Sequence, residues 1–285
     1  MSSFKAAGSG LQYSLLAAII LCGGIFKTME YDRLGKTNLL ISRVAFGALK
    51  LTETGNSVDE EENAGLIVRK AYENGINFFD TSRKNPDSEK LLGDALYDIR
   101  RNVFLSTATA SKTPSDIKED LETSLMTLHC DQVDLYQFET ENFLPLPDGG
   151  DKIYNTLVKL RDDGKIAHFG IITTNFDLAK KAVESDLYET LQFPFSMLSS
   201  DDTIELVKLC EEHDVGFIAM QPLCGGVVEN IPLAFGFLHQ YENVIPIWGV
   251  RTQEEMDQIL YFNEHPPVID DKFAEDVEKI RCFFN

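Results

Sequence analysis

Basic residues are few in this sequence, with 26 Lys and Arg against 46 Asp and Glu. The formal net charge is -20 and the sequence pI is about 4.6. A surface this acidic repels nucleic acid and anionic lipid headgroups, so we expect a small-molecule ligand rather than a nucleic-acid partner. Anionic ligands face the same unfavourable field unless a local basic patch offsets it. The oligomeric state is left open by the sequence.

The cysteines are few and are not spaced as metal-binding pairs. None of the five cysteines has C-x-x-C or C-x-x-x-C spacing, which excludes the common zinc and iron–sulfur cluster patterns and predicts no metal site. An odd number in a chain of this length also argues against a disulfide framework, so a reducing, cytoplasmic location is expected. The five are Cys22, Cys130, Cys210, Cys224 and Cys282.

Long apolar runs are missing except for one near the N-terminus, residues 11–26. It is short for a transmembrane helix, which needs about 20 residues. A signal peptide is an alternative, but no small-x-small cleavage site follows, and Leu21 before Cys22 is poor for a lipoprotein site. The favoured interpretation is that Met29 is the true start. The sequence then divides into an apolar extension, 1–28, and a folded domain, 29–285. Membrane association is not expected unless residues 11–26 are retained.

Eight short, largely apolar runs alternate with amphipathic stretches along the rest of the chain. Runs of this kind are typical of strands buried on both faces, and they cover 44–50, 77–82, 103–109, 133–139, 168–174, 190–196, 216–222 and 245–250. Helix signals lie between them: Thr113-Pro114 is a start, Ser88-Glu89 opens residues 90–99, and Gly75 and Gly164 are stops.

This alternation predicts an α/β fold, a closed (β/α)8 TIM barrel. No Gly-x-Gly-x-x-Gly follows the first strand, which removes the open dinucleotide-binding sheet as a rival. Residues 31–44 read as a β-hairpin that would plug the N-terminal end of the barrel.

Residues 75–96, GINFFDTSRKNPDSEKLLGDAL, contain an Asp-Thr at a strand end, then Ser-Glu and Leu-Gly-x-Ala-Leu. This pattern resembles the signature of the aldo-keto reductase family, and the resemblance continues to about residue 262. The subgroup it resembles is that of anaerobe-type members, which usually continue into a cysteine-rich iron–sulfur segment. The sequence given ends with the lone Cys282 and does not contain that segment.

The resemblance implies hydride transfer from a nicotinamide cofactor to a carbonyl, with a Tyr as general acid and Lys, Asp and His in support. Only Asp80 matches these four positions. The Tyr position is Asn85, the Lys position is Ala108 and the His position is Glu139. An amide cannot deliver a proton near neutral pH and Ala supplies no charge, so turnover is doubtful and a pseudoenzyme is indicated.

The resemblance also implies NADP or NAD as cofactor, with binding weakened or lost. A Ser/Thr-Asn pair that holds the nicotinamide carboxamide is replaced by Ile172-Thr173, although Thr174-Asn175 could compensate if the loop is shifted. Glu255 stands where many members carry an Arg for the 2′-phosphate. The positions that correspond to cofactor contacts are Thr173, Gln192, Phe195, Leu223, Gly225, Gly226 and Arg251.

Three functions remain open: an oxidoreductase with a rebuilt site, an inactive barrel that binds a nucleotide, and a scaffold that binds none. Asp80 and Glu139 place two carboxylates at the mouth with no assigned cation. They could share a proton, favour cationic ligands and disfavour the anionic cofactor. Alternatively, Lys84 or Lys112 from the loops, or a metal ion, could neutralise them, or Glu139 could turn out to solvent.

Overall fold

The computed structural model describes residues 29–52 and 58–284. Eight parallel strands close into a barrel in the order β10-β3-β4-β5-β6-β7-β8-β9. These strands are β3 (Ala45–Gly47), β4 (Phe78–Asp80), β5 (Phe104–Thr109), β6 (Val133–Glu139), β7 (Ile166–Ile172), β8 (Thr190–Pro194), β9 (Gly216–Met220) and β10 (Val244–Gly249). The prediction of a (β/α)8 TIM barrel is confirmed.

The helices lie around the barrel and follow the strands in sequence. They are α1 (Val58–Glu73), α2 (Pro86–Leu96), α3 (Pro114–Thr127), α4 (Ile153–Asp162), α5 (Phe176–Glu184), α6 (Asp201–Glu212), α7 (Ile231–His239), α8 (Gln253–Glu264) and α9 (Asp271–Phe284). Within the described ranges, none of them is long and apolar enough to cross a membrane.

Local sequence explains where several helices begin and end. The Thr113 side chain accepts a hydrogen bond from the Asp116 N–H, and Pro114 follows at the first helical position of α3. Gly75 and Gly164 have φ of 93° and 73°, in the left-handed region that ends a helix without steric cost to glycine. Both predicted stops are therefore found immediately before the next strand.

An N-terminal hairpin closes one end of the barrel, as predicted. Its strands β1 (Tyr31–Arg33) and β2 (Leu40–Ser42) are antiparallel and enclose a short 3-10 helix, Gly35–Thr37. A Cβ at Gly35 would lie 2.2 Å from the backbone nitrogen of Gly216, so the hairpin backbone sits directly against β9. Its apolar residues join a separate buried cluster that fills this end of the barrel: Leu34, Ile41, Ala45, Phe78, Leu135, Ile218, Ile245 and Ile247.

Some predicted boundaries differ from the structure. The second barrel strand ends at Asp80 rather than residue 82, because the Thr81 hydroxyl hydrogen-bonds Ser88 and the chain turns. Helix α2 begins at Pro86, capped by Asn85, rather than after Ser88-Glu89. The proposals for residues 1–28, including a start at Met29, lie outside the described residues.

Candidate functional site

A cavity of about 370 Å³ opens at the carboxyl ends of the barrel strands, the end at which barrel active sites lie. Its walls come from β3, β9 and β10 and the segments that follow them. It brings together five of the residues that the sequence indicates: Asp80, Gln192, Leu223, Gly225 and Arg251. Gly47, Met220, Pro222, Ile247 and Trp248 add a largely apolar lining.

A tier of polar side chains crosses the barrel interior beneath this cavity. Gln137 on β6 donates from Nε2 to Gln192 Oε1 at 2.5 Å and to Ser106 Oγ at 3.1 Å. Asp80 on β4 is the register partner of Ser106 on β5. All four side chains are at most 6% exposed. Ser106 and Gln137 were not predicted from the sequence, although polar residues inside buried strands are a signal that could have identified them.

Asp80 is the one ionisable member of this tier and is 4% exposed. Burial raises the pKa of its carboxyl from 3.8 to about 7, and hydrogen bonds with Ser106 and Gln192 offset only part of that rise. In the part of the chain that the structure describes, Asp80 Oδ1 has no hydrogen-bond partner, and neither has Gln137 Oε1. Two buried acceptors therefore lie at the barrel centre without a donor.

Asn85 has a structural role at the position where the family resemblance implies a general acid. Its Oδ1 accepts a hydrogen bond from the Ser88 N–H and caps α2. Its Nδ2 donates to Thr52 Oγ1 at 2.9 Å and to the Leu49 carbonyl at 3.3 Å. The amide thus fastens the start of α2 to the loop after β3.

Ala108 is 1% exposed and presents only a methyl group at the end of β5. Its carbonyl accepts a hydrogen bond from the Arg83 N–H at 2.9 Å. No charge is therefore available at this position to meet Asp80.

Glu139 is neutralised by a lysine rather than facing Asp80. Lys84 Nζ lies 2.6 Å from Glu139 Oε1 in a pair that is partly open to solvent. Lys112 Nζ donates to the Glu139 carbonyl at 3.0 Å and lies 4.9 Å from the centre of the Phe138 ring. Burial lowers the pKa of Lys112, and Glu139 opposes that shift. Of the alternatives left open by the sequence, a loop lysine fills the gap at Glu139, and Asp80 remains without one.

A buried ion pair behind the site was not expected from the sequence. Glu89, fully buried on α2, pairs with Arg83 and accepts hydrogen bonds from Thr107 Oγ1 at 2.7 Å and Ser124 Oγ at 2.6 Å. This network joins the loop after β4 to β5 and α3. It supports the shape of the rim and does not line the cavity.

Thr173 lies beyond the end of β7 and already has a partner inside the protein. Its hydroxyl donates to Glu141 Oε2 at 3.0 Å, and the Thr174 N–H donates to Glu141 Oε1 at 2.8 Å. Asn175 caps α5 and donates to the Glu141 carbonyl. The groups that the resemblance assigns to a nicotinamide carboxamide are thus held by the Glu141 carboxylate, a contact that was not predicted from the sequence.

Phe195 is 1% exposed and packs among Phe217, Phe237 and Tyr241, with ring centres 5.1 to 5.7 Å apart. The structure therefore places this ring in the core and not among the residues that line the cavity.

The loop after β9 forms a short 3-10 helix, Cys224–Gly226, with Gly225 and Gly226 at φ of 71° and 99°. Leu223 and Gly225 line the cavity, whereas Gly226 does not. The N–H groups of Cys224 and Gly226 donate to the carbonyls of Gln221 and Leu223. At least two of the amides that could cradle a phosphate are therefore already used within the loop.

Arg251 lies at the cavity rim after β10, and an acidic residue accompanies it. The Glu255 carboxylate accepts a hydrogen bond from the Arg251 N–H at 2.6 Å, near the start of α8. A negative charge therefore lies beside Arg251 at the cavity rim.

Residues 43–232 match the Aldo/keto reductase family, which is about two thirds of the chain. The fold and this match together show that the chain belongs to the aldo/keto reductase family.

Curated relatives include "Probable aldo-keto reductase 1" of Glycine max, 27% identical over 70% of this chain and 63% of the relative. The uncharacterized oxidoreductase YqkF of Bacillus subtilis is 28% identical over 72% of this chain and 68% of the relative. An L-galactose dehydrogenase of Arabidopsis thaliana is 26% identical over 70% and 67%. The chain thus spans about two thirds of the length of these relatives.

Solved structures share the fold at lower identity. The holo form of an aldo-keto reductase from Bacillus halodurans superposes with a TM-score of 0.76, at 20% identity, over 88% of this chain and 96% of that one. An aldo/keto reductase from Klebsiella pneumoniae in complex with NADP and acetate gives 0.75 at 16% identity, over 89% and 96%.

Proposed function

We propose that this chain is an aldo/keto reductase barrel that no longer reduces carbonyls and acts by binding a small molecule in its cavity. The observation that supports this proposal is the loss of a proton donor. Asn85 stands at the position of the acid and is committed to capping α2. Loss of general acid catalysis alone costs about 10²–10⁴ in rate.

Electrostatic support for an acid is also missing from the site. Ala108 replaces the Lys that lowers the pKa of a neighbouring phenol, and Glu139 replaces the His that orients the carbonyl. Asp80 is buried, and none of the described residues serves as its counterion. Losses of this kind cost roughly a further 10²–10³.

A nicotinamide dinucleotide fits the residues present poorly. Glu141 holds the groups at Thr173 and Thr174, and Glu255 lies beside Arg251. In the loop at Leu223, backbone N–H groups that could bind a phosphate already donate to carbonyls of the same loop. The net charge of -20 adds an electrostatic field that is unfavourable to an anionic cofactor. We therefore propose that NADP and NAD bind weakly or not at all. The anaerobe-type subgroup remains a proposal that rests on the sequence motifs alone.

The test is a steady-state assay of the full chain with NADPH and NADH against generic aldehydes and quinones, together with titration of Trp248 fluorescence. Trp248 is the single tryptophan and lines the cavity. We expect trace turnover and little quenching by either cofactor. A rate within about tenfold of an ordinary family member, a gap of only about 1.4 kcal/mol in barrier, would refute the proposal.

A second candidate is an oxidoreductase with a rebuilt site. The cluster of Lys84, Glu139 and Lys112 favours it, because Lys112 has a lowered pKa and lies beside the rim. The names of the relatives point the same way. If turnover is found, Lys112→Met should abolish it under this hypothesis and Lys208→Met, at an exposed pair on α6, should not.

A further inference from the structure

We propose that the cavity binds a primary or secondary ammonium group on a short apolar body, with Asp80 as its counterion at the bottom of the cavity. This inference deepens the proposed function, since it names the ligand class of the same site. It begins from the two unpartnered acceptors of the polar tier.

The bottom of the cavity is built to accept hydrogen bonds. Asp80 lines the cavity, and its buried Oδ1 has no donor among the described residues. Gln137 Oε1 also lacks a donor among them, but it belongs to the polar tier beneath the cavity and does not line it. A buried acceptor without a partner costs about 1–3 kcal/mol, and more if it is charged. An ammonium ligand would supply both the hydrogen-bond donor and the positive charge that Asp80 lacks.

The charges around Asp80 leave room for a cation. The neighbouring side chains from β5, β6 and β8 are the neutral Ser106, Gln137 and Gln192, and β3 contributes Gly47. Among the described residues, the cations that line the cavity are Lys50 and Arg251, and neither is among the groups that influence the pKa of Asp80. Lys84, the lysine on the loop after β4, is paired with Glu139.

The walls fit an apolar body. Met220, Pro222, Leu223 and Ile247 offer aliphatic surface along the cavity. An apolar lining with one carboxylate at the bottom favours a molecule that is apolar along its length and carries a positive charge at one end.

Binding is coupled to a proton. With a pKa of about 7, Asp80 is largely protonated below neutral pH in the unliganded protein, and an ammonium group requires the carboxylate. Binding near pH 6 should therefore release close to one proton, and affinity should rise as the pH increases toward about 8.

The test is calorimetric titration of the full chain with n-butylammonium. The comparison ligands are n-butanol and butyrate, which lack the positive charge, and tetramethylammonium, which lacks an N–H donor. We expect butylammonium to bind roughly tenfold or more tightly than butanol and butyrate, as one charge-assisted hydrogen bond requires. Tetramethylammonium, which has no N–H donor, should be weaker than butylammonium. Equal binding of amine and alcohol, or no binding of the amine, would overturn the proposal.

Two variants make the test specific. Asp80→Asn should lose about tenfold or more in amine affinity, while Glu205→Gln, a like change at an exposed carboxylate on α6, should change it less than about twofold. Unchanged amine affinity in Asp80→Asn overturns the inference.

If Asp80→Asn does not fold, proton release by the parent is measured by titration in two buffers of different ionisation enthalpy, and absence of release likewise overturns the inference. None of these results depends on the nicotinamide assay, so the proposed loss of turnover stands or falls separately.

Discussion

Asp80 shows how the pKa of one residue depends on the side chains around it. A carboxyl beside a lysine is an ordinary ion pair, but the same carboxyl beside Ala108 must meet the cost of its own desolvation. Burial therefore raises the pKa of Asp80 to about 7, close to the pH at which proteins work. The chemistry of Asp80 is thus set by its burial among neutral side chains.

The raised pKa predicts a stability change with pH. Between about pH 4 and 7 the folded protein holds a proton on Asp80 that the unfolded chain has released, so the free energy of unfolding falls as pH rises. From pH 5 to 8 this loss is roughly 2–3 kcal/mol. Urea denaturation should show that Asp80→Asn gains stability relative to the parent by about this amount over that range.

Glu139→Gln is the control for this measurement. Its carboxylate is paired with Lys84 and partly exposed, so we expect a change below about 1 kcal/mol and a pH profile parallel to that of the parent. If Asp80→Asn also follows the parent profile, Asp80 is already ionised across the range, and the hydrogen bonds from its neighbours outweigh its burial.

Restoring a phenol should not restore catalysis. Asn85→Tyr should leave turnover at trace level, because without a lysine at position 108 the phenol pKa stays near about 10. The same change removes the cap of α2 and the hydrogen bond to Thr52, which should cost about 1 kcal/mol. Turnover assays and denaturation of the single variant check both effects, and a large gain in rate contradicts the first.

Residue identities could be predicted at the site more readily than their partners. Asp80, Gln192, Leu223, Gly225 and Arg251 are identifiable from the sequence and line one cavity. The pairing of Lys84 with Glu139, and of Glu141 with Thr173, joins residues 55 and 32 positions apart. Such contacts depend on loop conformation, which periodicity does not specify.

At the scale of elements, α2 is held by a buried charge rather than by apolar packing alone. Glu89 is fully buried and contacts groups on the loop after β4, on β5 and on α3. The Ser-Glu pair in the sequence predicted only a helix start, because a short sequence pattern cannot distinguish a first-turn acid from a buried one. The helix register, set by the cap at Asn85, turns Glu89 inward.

This network predicts a large effect for a small change. Glu89→Gln removes one negative charge and leaves the Arg83 guanidinium without its partner, so we expect a loss of about 3 kcal/mol in unfolding free energy. Glu205→Gln, at an exposed pair with Lys208 on α6, should cost less than about 1 kcal/mol. Chemical denaturation of both variants measures the difference, and equal effects would contradict the role given to the buried pair.

The order of strands and helices was predictable because each barrel strand is a short apolar run separated from the next by a capped helix. The ends of the strands were less predictable. The run predicted to end at residue 174 ends at Ile172 in β7, because Thr173 and Thr174 hydrogen-bond to Glu141. Side chains that hydrogen-bond across a loop end a strand where local pattern would extend it.

At the scale of the whole molecule, the excess of acidic residues is a source of self-repulsion. With a net charge of -20, screening should favour the folded state. We expect the melting temperature to rise by about 2 °C or more between about 10 mM and 200 mM sodium chloride, measured by circular dichroism. Potassium chloride should give the same rise, since screening depends on ionic strength. A flat or falling melting temperature would show that local ion pairs outweigh the net charge.

The hairpin plug has a consequence for the timing of events at the cavity. Because Leu34, Ile41 and their neighbours fill one end of the barrel, a ligand whose head reaches Asp80 enters and departs through the same mouth. A ligand bound at Asp80 can therefore dissociate only after any molecule at the rim has left. A bulky molecule at Trp248 or Arg251 would slow its dissociation. Residence time at Asp80 would be governed by the rim as much as by the strength of the contact itself.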